Sequence, residues 1–202
     1  MTATSRLFFL PGAGADPGFW RPLGDRLGGA WDKVYFGWPG LGREPPHPEV
    51  RGLDDLVRLV EARLDAAPVD LLAQSMGGLI ALLVTLRHPG RIRRLVLSVT
   101  SAGVPMARLG AADWRDSYFR EYPSAAPWLR DIRADLSAEL PRITQPVLLL
   151  WGDRDPISPV SVGEYLRARL PNAALRIVKG GEHDVVAARA GEVAPIIARH
   201  LA

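Results

Sequence analysis

Short apolar runs alternate with helix-forming segments along nearly the whole chain of 202 residues. A run that is apolar at almost every position predicts a strand buried on both faces, as in parallel sheets covered by helices. The sequence therefore predicts an α/β fold with three layers, in which about six mostly parallel strands carry helices on both faces. The candidate strands lie within residues 7–10, 31–38, 69–72, 95–99, 147–151 and 174–178.

The segments between these runs show the periodicity of helices. Residues 53–66 carry apolar side chains at a spacing close to 3.6 residues, which predicts an amphipathic helix. Residues 76–86 are mostly small and apolar, which is typical of a buried helix, and residues 161–170 and 192–201 also have helical patterns. Because this length suits one hydrophobic core, we expect residues 1–202 to form a single domain.

Residues 102–139 differ in composition from the rest of the chain, since they are rich in aromatic residues and proline. They join two candidate strands and are longer than an ordinary connection, so we expect a short lid insertion here. The i, i+4 spacing of Trp128, Ile132, Leu136 and Leu140 predicts one face of a packed helix at its end.

The composition is that of an ordinary globular protein, with 48% apolar residues, 23% charged residues and a net charge of +3. Basic residues are scattered among acidic ones, so we expect no nucleic-acid partner. The absence of cysteine excludes disulfides and thiolate catalysis. No apolar stretch has the length of a membrane span or of a signal peptide. We expect a cytoplasmic protein that binds a small molecule and no membrane, and its oligomeric state stays open.

The segment Ala73-Gln74-Ser75-Met76-Gly77 follows a candidate strand and begins a candidate helix. A nucleophile elbow has this context, because a sharp turn from strand to helix lifts the serine hydroxyl above the sheet. Crowding in that turn demands small residues two positions before and after the serine, as here. Alternatively, Ser75 is only the N-cap residue of the helix, which is a common role for serine.

A serine hydroxyl becomes a nucleophile when a histidine removes its proton and a carboxylate orients that histidine. His183 follows the candidate strand 174–178, while Asp153 and Asp155 follow the candidate strand 147–151. The chain order serine, acid, histidine is the order that nucleophile elbows require. The residues alone leave the choice between the two aspartates open.

The three other histidines fit structural roles better than chemical ones. His88 lies at the expected end of the helix that follows Ser75, and we expect His200 on the surface of the last helix. His47 lies in a proline-rich loop without an assigned role. Because no histidine pair has the spacing of metal ligands, we expect no metal site.

An acyl-transfer site also needs two backbone N–H groups that bind the developing oxyanion. We expect one from Met76, the residue after the serine, and one from Ala13 in the glycine-rich loop 11–15. A dinucleotide-binding loop is the alternative for residues 11–15. However, Pro17 stands where the G-x-G-x-x-G pattern needs glycine, so we expect no cofactor.

Together these segments resemble the α/β-hydrolase family over nearly the whole chain. The resemblance implies an α/β-hydrolase fold, the catalytic residues Ser75 and His183, and the acid Asp155, because the G-x-x-D turn of the family matches residues 152–155. The sequence departs from the family in Ala73, in Pro11-Gly12 where His-Gly is frequent, in a short lid, and in an expected absence of the N-terminal antiparallel hairpin. The resemblance rests on residues 10–12 with Trp20, 38–42, 74–78, 88–92, 151–155 and 180–183.

The sequence therefore predicts a serine hydrolase that cleaves an ester, thioester or lactone of a small, partly apolar substrate through an acyl-enzyme on Ser75. One alternative is a carbon–carbon bond hydrolase or lyase that uses the same three residues. A second is a non-catalytic member of the family that binds a small ligand or a partner.

Overall fold

The computed structural model describes residues 5–202, which form a sheet of six strands. The strands are β1 (Arg6–Leu10), β2 (Asp32–Tyr35), β3 (Val69–Gln74), β4 (Ile92–Ser98), β5 (Val147–Gly152) and β6 (Ala173–Val178). Their order in the sheet is β2-β1-β3-β4-β5-β6, and all five pairings are parallel. The prediction of a parallel sheet with about six strands is confirmed, and no antiparallel pair occurs within residues 5–202.

Seven α-helices accompany the sheet within the same residues. They are α1 (Arg21–Gly24), α2 (Leu53–Glu61), α3 (Met76–Arg87), α4 (Arg115–Glu121), α5 (Val160–Arg167), α6 (Val185–Ala188) and α7 (Ala190–Leu201). Helix α2 packs on α3, α5 packs on β5 and β6, and α1 packs on α6 and α7. Helices α1, α4 and α6 were not predicted, because helices of four to seven residues are too short to show a period. No helix in the described residues has the length and apolar character to cross a membrane.

Helix α3 crosses the carboxyl end of β1 at very short range. A Cβ atom added at Gly77 would lie 2.5 Å from both the Leu10 and the Pro11 carbonyl oxygens. At the next position, a Cβ atom on Gly78 would overlap the side chain of Thr100. Two consecutive glycines therefore allow the beginning of α3 to lie directly on the end of the sheet.

The central strand β3 contains a buried charge in its apolar sequence. Asp70 is fully buried, and Arg93 on the neighbouring strand β4 donates its Nε–H to Asp70 Oδ1 at 2.9 Å. An ionised carboxylate inside a sheet needs such a partner, because burial without one removes its hydration. The pair is therefore compatible with a strand that is otherwise apolar.

The prediction of a helix near the end of residues 102–139 is wrong. It was based on the spacing of Trp128, Ile132, Leu136 and Leu140. Within residues 127–142 the structure has two 3-10 turns, Pro127–Asp131 and Leu140–Arg142, and no helix between them. The Leu136 N–H donates to the Gly103 carbonyl oxygen at 2.6 Å, so it cannot form the i to i−4 bond of a helix. The four side chains are buried or half-buried, so their spacing reflects packing rather than helical structure.

The predicted position of His88 agrees with the structure, whereas that of His200 does not. His88 is the C-cap residue of α3, at the helix end where it was expected, and its Nε2 lies 3.1 Å from Glu61 Oε1. The surface position predicted for His200 is wrong: it is partly buried, and its Nε2 lies 3.0 Å from the Leu95 carbonyl oxygen. The C-terminal position in an amphipathic helix did not reveal that this face packs against the sheet.

We expect Gly77→Ala to lower the free energy of unfolding by about 1–3 kcal/mol, because its methyl group would force α3 away from the end of β1. Denaturant unfolding measures the change. Gly90→Ala is the matched control, since no atom lies within 4 Å of its added Cβ, and we expect a much smaller effect. Equal effects of the two substitutions would contradict the packing argument.

We expect His200 to make stability fall with decreasing pH. Burial lowers the pKa of His200 in the folded protein. At pH values between the unfolded pKa of about 6.5 and this lower folded pKa, the unfolded state binds more protons than the folded state. The free energy of unfolding therefore decreases as pH falls through this range. In His200→Gln the free energy of unfolding should decrease less between about pH 7.5 and about pH 5.5. Exposed His47 gives the control, and a wild-type slope in His200→Gln would refute the prediction.

Candidate active site

Ser75 occupies the turn between β3 and α3 with φ 52° and ψ −123°. Its N–H donates to the Ser98 carbonyl oxygen at 3.0 Å, and its own carbonyl oxygen accepts the Thr100 hydroxyl at 2.6 Å. Although Ser75 is in the N-cap position of α3, its side chain makes no capping hydrogen bond. Instead its Oγ lies 3.0 Å from His183 Nε2, so capping does not account for this serine.

His183 lies in the loop after β6, with both ring nitrogens in hydrogen bonds. Its Nδ1 lies 2.7 Å from Asp155 Oδ2, and its Nε2 faces Ser75. A carboxylate can only accept a hydrogen bond, so the neutral ring carries its proton on Nδ1 and leaves Nε2 to accept the serine proton. The Gln74 amide donates to the His183 carbonyl oxygen at 3.0 Å and fixes the backbone below the ring.

The two aspartates after β5 have different contacts. The Asp155 side chain is fully buried, and its Oδ1 accepts the N–H groups of Ile157 and Ser158 at 2.8 and 3.1 Å. Asp153 instead accepts the Gly180 N–H at 2.6 Å and joins the loops that follow β5 and β6. Of the two, Asp155 is therefore the one in contact with His183.

The two residues whose N–H groups are predicted to bind an oxyanion border the same space as Ser75. Ala13 and Met76 both line the cavity that contains the serine. Within residues 5–202, neither N–H has a hydrogen-bond acceptor. Free backbone donors that point at a developing oxyanion stabilise it, so the oxyanion role of these two residues stays a prediction.

A cavity of about 990 Å³ opens above Ser75 and His183. More than half of the residues around it belong to 102–139. The charged residues that line it include Arg115 and Asp113, which form an ion pair with 3.1 Å between Arg115 Nη1 and Asp113 Oδ1. Apolar lining side chains include Phe19, Leu79, Val104, Met106, Trp114 and Ile132. The space can therefore hold a substrate with a substantial apolar part.

Sequence reasoning assigned no role to three polar side chains that support this site. Gln74 holds the backbone of His183, and Thr100 holds the Ser75 carbonyl. The Tyr118 hydroxyl contacts the loop that contains Ala13. Gln74 lies within the elbow motif, whereas no local pattern distinguishes Thr100 or Tyr118. In the described part of the chain, no group of three or more metal-ligating side chains is in position to hold an ion.

A family model described as "Alpha/beta hydrolase family" matches residues 7–196. The chain belongs to the alpha/beta hydrolase family. This confirms the resemblance drawn from the sequence motifs.

Two curated relatives of this hydrolase carry the names of ester-cleaving or depolymerising enzymes. A pimeloyl-[acyl-carrier protein] methyl ester esterase of Neisseria meningitidis serogroup A is 27% identical over 225 residues, covering 90% of this chain and 72% of that one. A poly(3-hydroxyalkanoate) depolymerase of Ectopseudomonas oleovorans is 28% identical, covering 96% of this chain and 83% of that one. These relatives confirm the expectation of an enzyme.

Solved structures share the architecture of this hydrolase. A membrane phospholipase A matches with a TM-score of 0.80 and 24% identity, covering 100% of this chain and 79% of that one. A meta-cleavage product hydrolase of Pseudomonas fluorescens IP01 matches with a TM-score of 0.77 and 16% identity, covering 98% of this chain and 90% of that one. At these identities the similarity establishes the fold alone, and it confirms the predicted fold class.

Proposed function

We propose that this hydrolase cleaves carboxylic esters or thioesters through an acyl-enzyme on Ser75. The observation that carries the proposal is the continuous series of hydrogen bonds from Ser75 Oγ through His183 to Asp155, beneath a cavity of about 990 Å³. A hydroxyl, a base and an orienting carboxylate in this order form the machinery of acyl transfer.

In the first step Ser75 Oγ attacks the carbonyl carbon of the ester while His183 Nε2 takes the serine proton. The resulting imidazolium keeps its Nδ1–H bond to Asp155, whose negative charge stabilises it. Asp155 is held in turn by the amides of Ile157 and Ser158, so its carboxylate keeps one orientation during the transfer.

The tetrahedral intermediate carries its negative charge on the former carbonyl oxygen. The N–H groups of Ala13 and Met76 bind that oxygen, since both donors are free and border the cavity. When the intermediate collapses, His183 delivers its proton to the leaving alcohol or thiol. Water then repeats the sequence on the acyl-enzyme and releases the acid and free Ser75.

Residues 102–139 act as a lid that sets the substrate class. They provide more than half of the cavity lining, and the apolar side chains among them favour an aliphatic or aromatic acyl group of modest size. The methyl ester esterase among the relatives supports an ester substrate over the carbon–carbon bond alternative. Lactones fit the same chemistry, since ring opening proceeds through the same attack. A cytoplasmic location stays a prediction.

We expect a fluorophosphonate probe to label the intact protein on the peptide that contains Ser75, because the probe reacts with an activated serine hydroxyl. Ser75→Ala should abolish the label. His183→Ala should slow labelling by about 10²–10⁴-fold through loss of the general base. Peptide mass mapping identifies the site.

Exposed Ser124 supplies the matched control for this experiment, and Ser124→Ala should be labelled like the wild type. Correctly folded wild-type protein that takes up no label would refute the proposed function and would favour the non-catalytic alternative.

We expect Asp155→Asn to lower kcat for a p-nitrophenyl ester by roughly 10⁴-fold. The asparagine amide would donate to His183 Nδ1 and favour the tautomer with the proton on Nε2, which cannot accept the serine proton. Asp153→Asn keeps an oxygen that can accept the Gly180 N–H, and kcat should change only a few-fold. The acid assignment fails if Asp153→Asn shows the larger loss.

A further inference from the structure

The Tyr118 hydroxyl joins helix α4 to two loops at the carboxyl edge of the sheet. It donates to the Ala13 carbonyl oxygen at 2.7 Å and accepts the Gly42 N–H at 2.8 Å. Ala13 follows β1 and Gly42 follows β2, so one hydroxyl connects three separate segments of the chain. A tyrosine phenol is protonated at neutral pH and can donate, and burial raises the pKa of Tyr118 further in the same direction.

Three consecutive carbonyl groups of the loop before Ala15 are each held by a hydrogen bond. Pro11 O accepts the Trp38 indole N–H at 2.8 Å, Gly12 O accepts the Ala15 N–H at 3.0 Å, and Ala13 O accepts the Tyr118 hydroxyl. Because a peptide unit is planar, a fixed Gly12 carbonyl also fixes the direction of the Ala13 N–H. The bond from Tyr118 fixes the next peptide plane and so prevents rotation within the turn.

We propose that Tyr118 is a positioning residue, which holds the loop so that the Ala13 N–H faces the oxyanion above Ser75. It does so only while α4 is docked on the loops that follow β1 and β2. This inference rests on the proposed function. It assigns to residues 102–139 a part in forming the oxyanion site, in addition to their part in lining the cavity.

Other contacts of α4 support this coupling. The Tyr118 ring packs against the rings of Trp114, Phe119 and Tyr122, with centroids 5.5, 5.2 and 4.9 Å away. Trp114 also lines the cavity. A substrate in the cavity therefore contacts Trp114, which packs on the Tyr118 ring, so substrate binding favours the docked position of α4 and the ordered loop.

A backbone hydrogen bond also ties the same segment to the loop after β2. The Ala126 N–H donates to the Gly40 carbonyl oxygen at 2.7 Å. Tyr118 lies before the end of α4 and Ala126 lies after it. Both residues are hydrogen-bonded to the segment Gly40–Gly42. Displacement of α4 would thus break the Tyr118 bond to Ala13 directly, without any change in the strands.

The test compares Tyr118→Phe with Tyr122→Phe, using p-nitrophenyl butyrate as substrate and an alkyl trifluoromethyl ketone as inhibitor. Tyr122 is the matched control, because it is the C-cap residue of the same helix, it is not among the residues that line the cavity, and the hydroxyl that donates to Ala13 O is that of Tyr118. The ketone forms a hemiketal with an active serine. The hemiketal oxyanion accepts hydrogen bonds from the same N–H groups that stabilise the transition state.

In Tyr118→Phe we expect kcat to fall by about 10–100-fold with KM within about twofold, and the affinity for the ketone to fall by a similar factor. Tyr122→Phe should stay within about twofold of wild type in each quantity. A raised KM with unchanged kcat, or equal losses in both variants, would mean that the hydroxyl only stabilises the lid and would overturn the proposal. If the proposed function itself is wrong, the wild-type protein will neither cleave the ester nor react with a fluorophosphonate, which distinguishes that failure from failure of the Tyr118 proposal.

A second measurement keeps the proposal testable if Tyr118→Phe does not fold. Difluorotyrosine at position 118 preserves the ring and the hydroxyl but ionises at lower pH, and a phenolate cannot donate to Ala13 O. We expect kcat to fall as the absorbance of the phenolate rises with pH, whereas the wild type shows no such loss over that range. A kcat that is insensitive to this ionisation would refute the positioning role.

Discussion

The site depends on a close approach of backbones at one edge of the sheet. Side chains at Gly77 and Gly152 would overlap the carbonyl oxygens of Leu10 and Gly181, so the loops there can meet only because these positions are glycine. Parallel pairing brings the carboxyl ends of β3, β5 and β6 to the same edge, where Ser75, Asp155 and His183 follow. Loops packed this tightly hold side chains from distant parts of the sequence within hydrogen-bond distance.

The strands and long helices could be predicted from the sequence because burial leaves a periodic pattern. Apolar runs identified all six strands, and Ser75 and His183 followed from chain order and their positions after strands. The choice of Asp155 over Asp153 came only from resemblance, since both follow β5. The difference lies in contacts with loops remote in sequence: the N–H of Gly180 engages Asp153, whereas His183 engages Asp155.

The segment between β4 and β5 could not be predicted in the same way, because tertiary contacts determine its conformation. Leu136 pairs with Gly103 instead of continuing a helix, and α4 has only seven residues. Tyr118 was one aromatic residue among several in the sequence, and its contact with Ala13 spans 105 positions. The surface position predicted for His200 is wrong for the same reason, since its hydrogen-bond acceptor, the Leu95 carbonyl oxygen on β4, lies far away in sequence.

The backbone of Ser75 opposes the stability of the protein. At φ 52° a serine pays a steric penalty of about 1–3 kcal/mol that glycine would avoid. The chain therefore retains a residue that weakens the fold at the position where a hydroxyl faces the cavity. Replacing Ser75 by glycine would relax this backbone angle and would remove the hydroxyl in the same step, so thermal tolerance and the presence of that hydroxyl compete at a single residue.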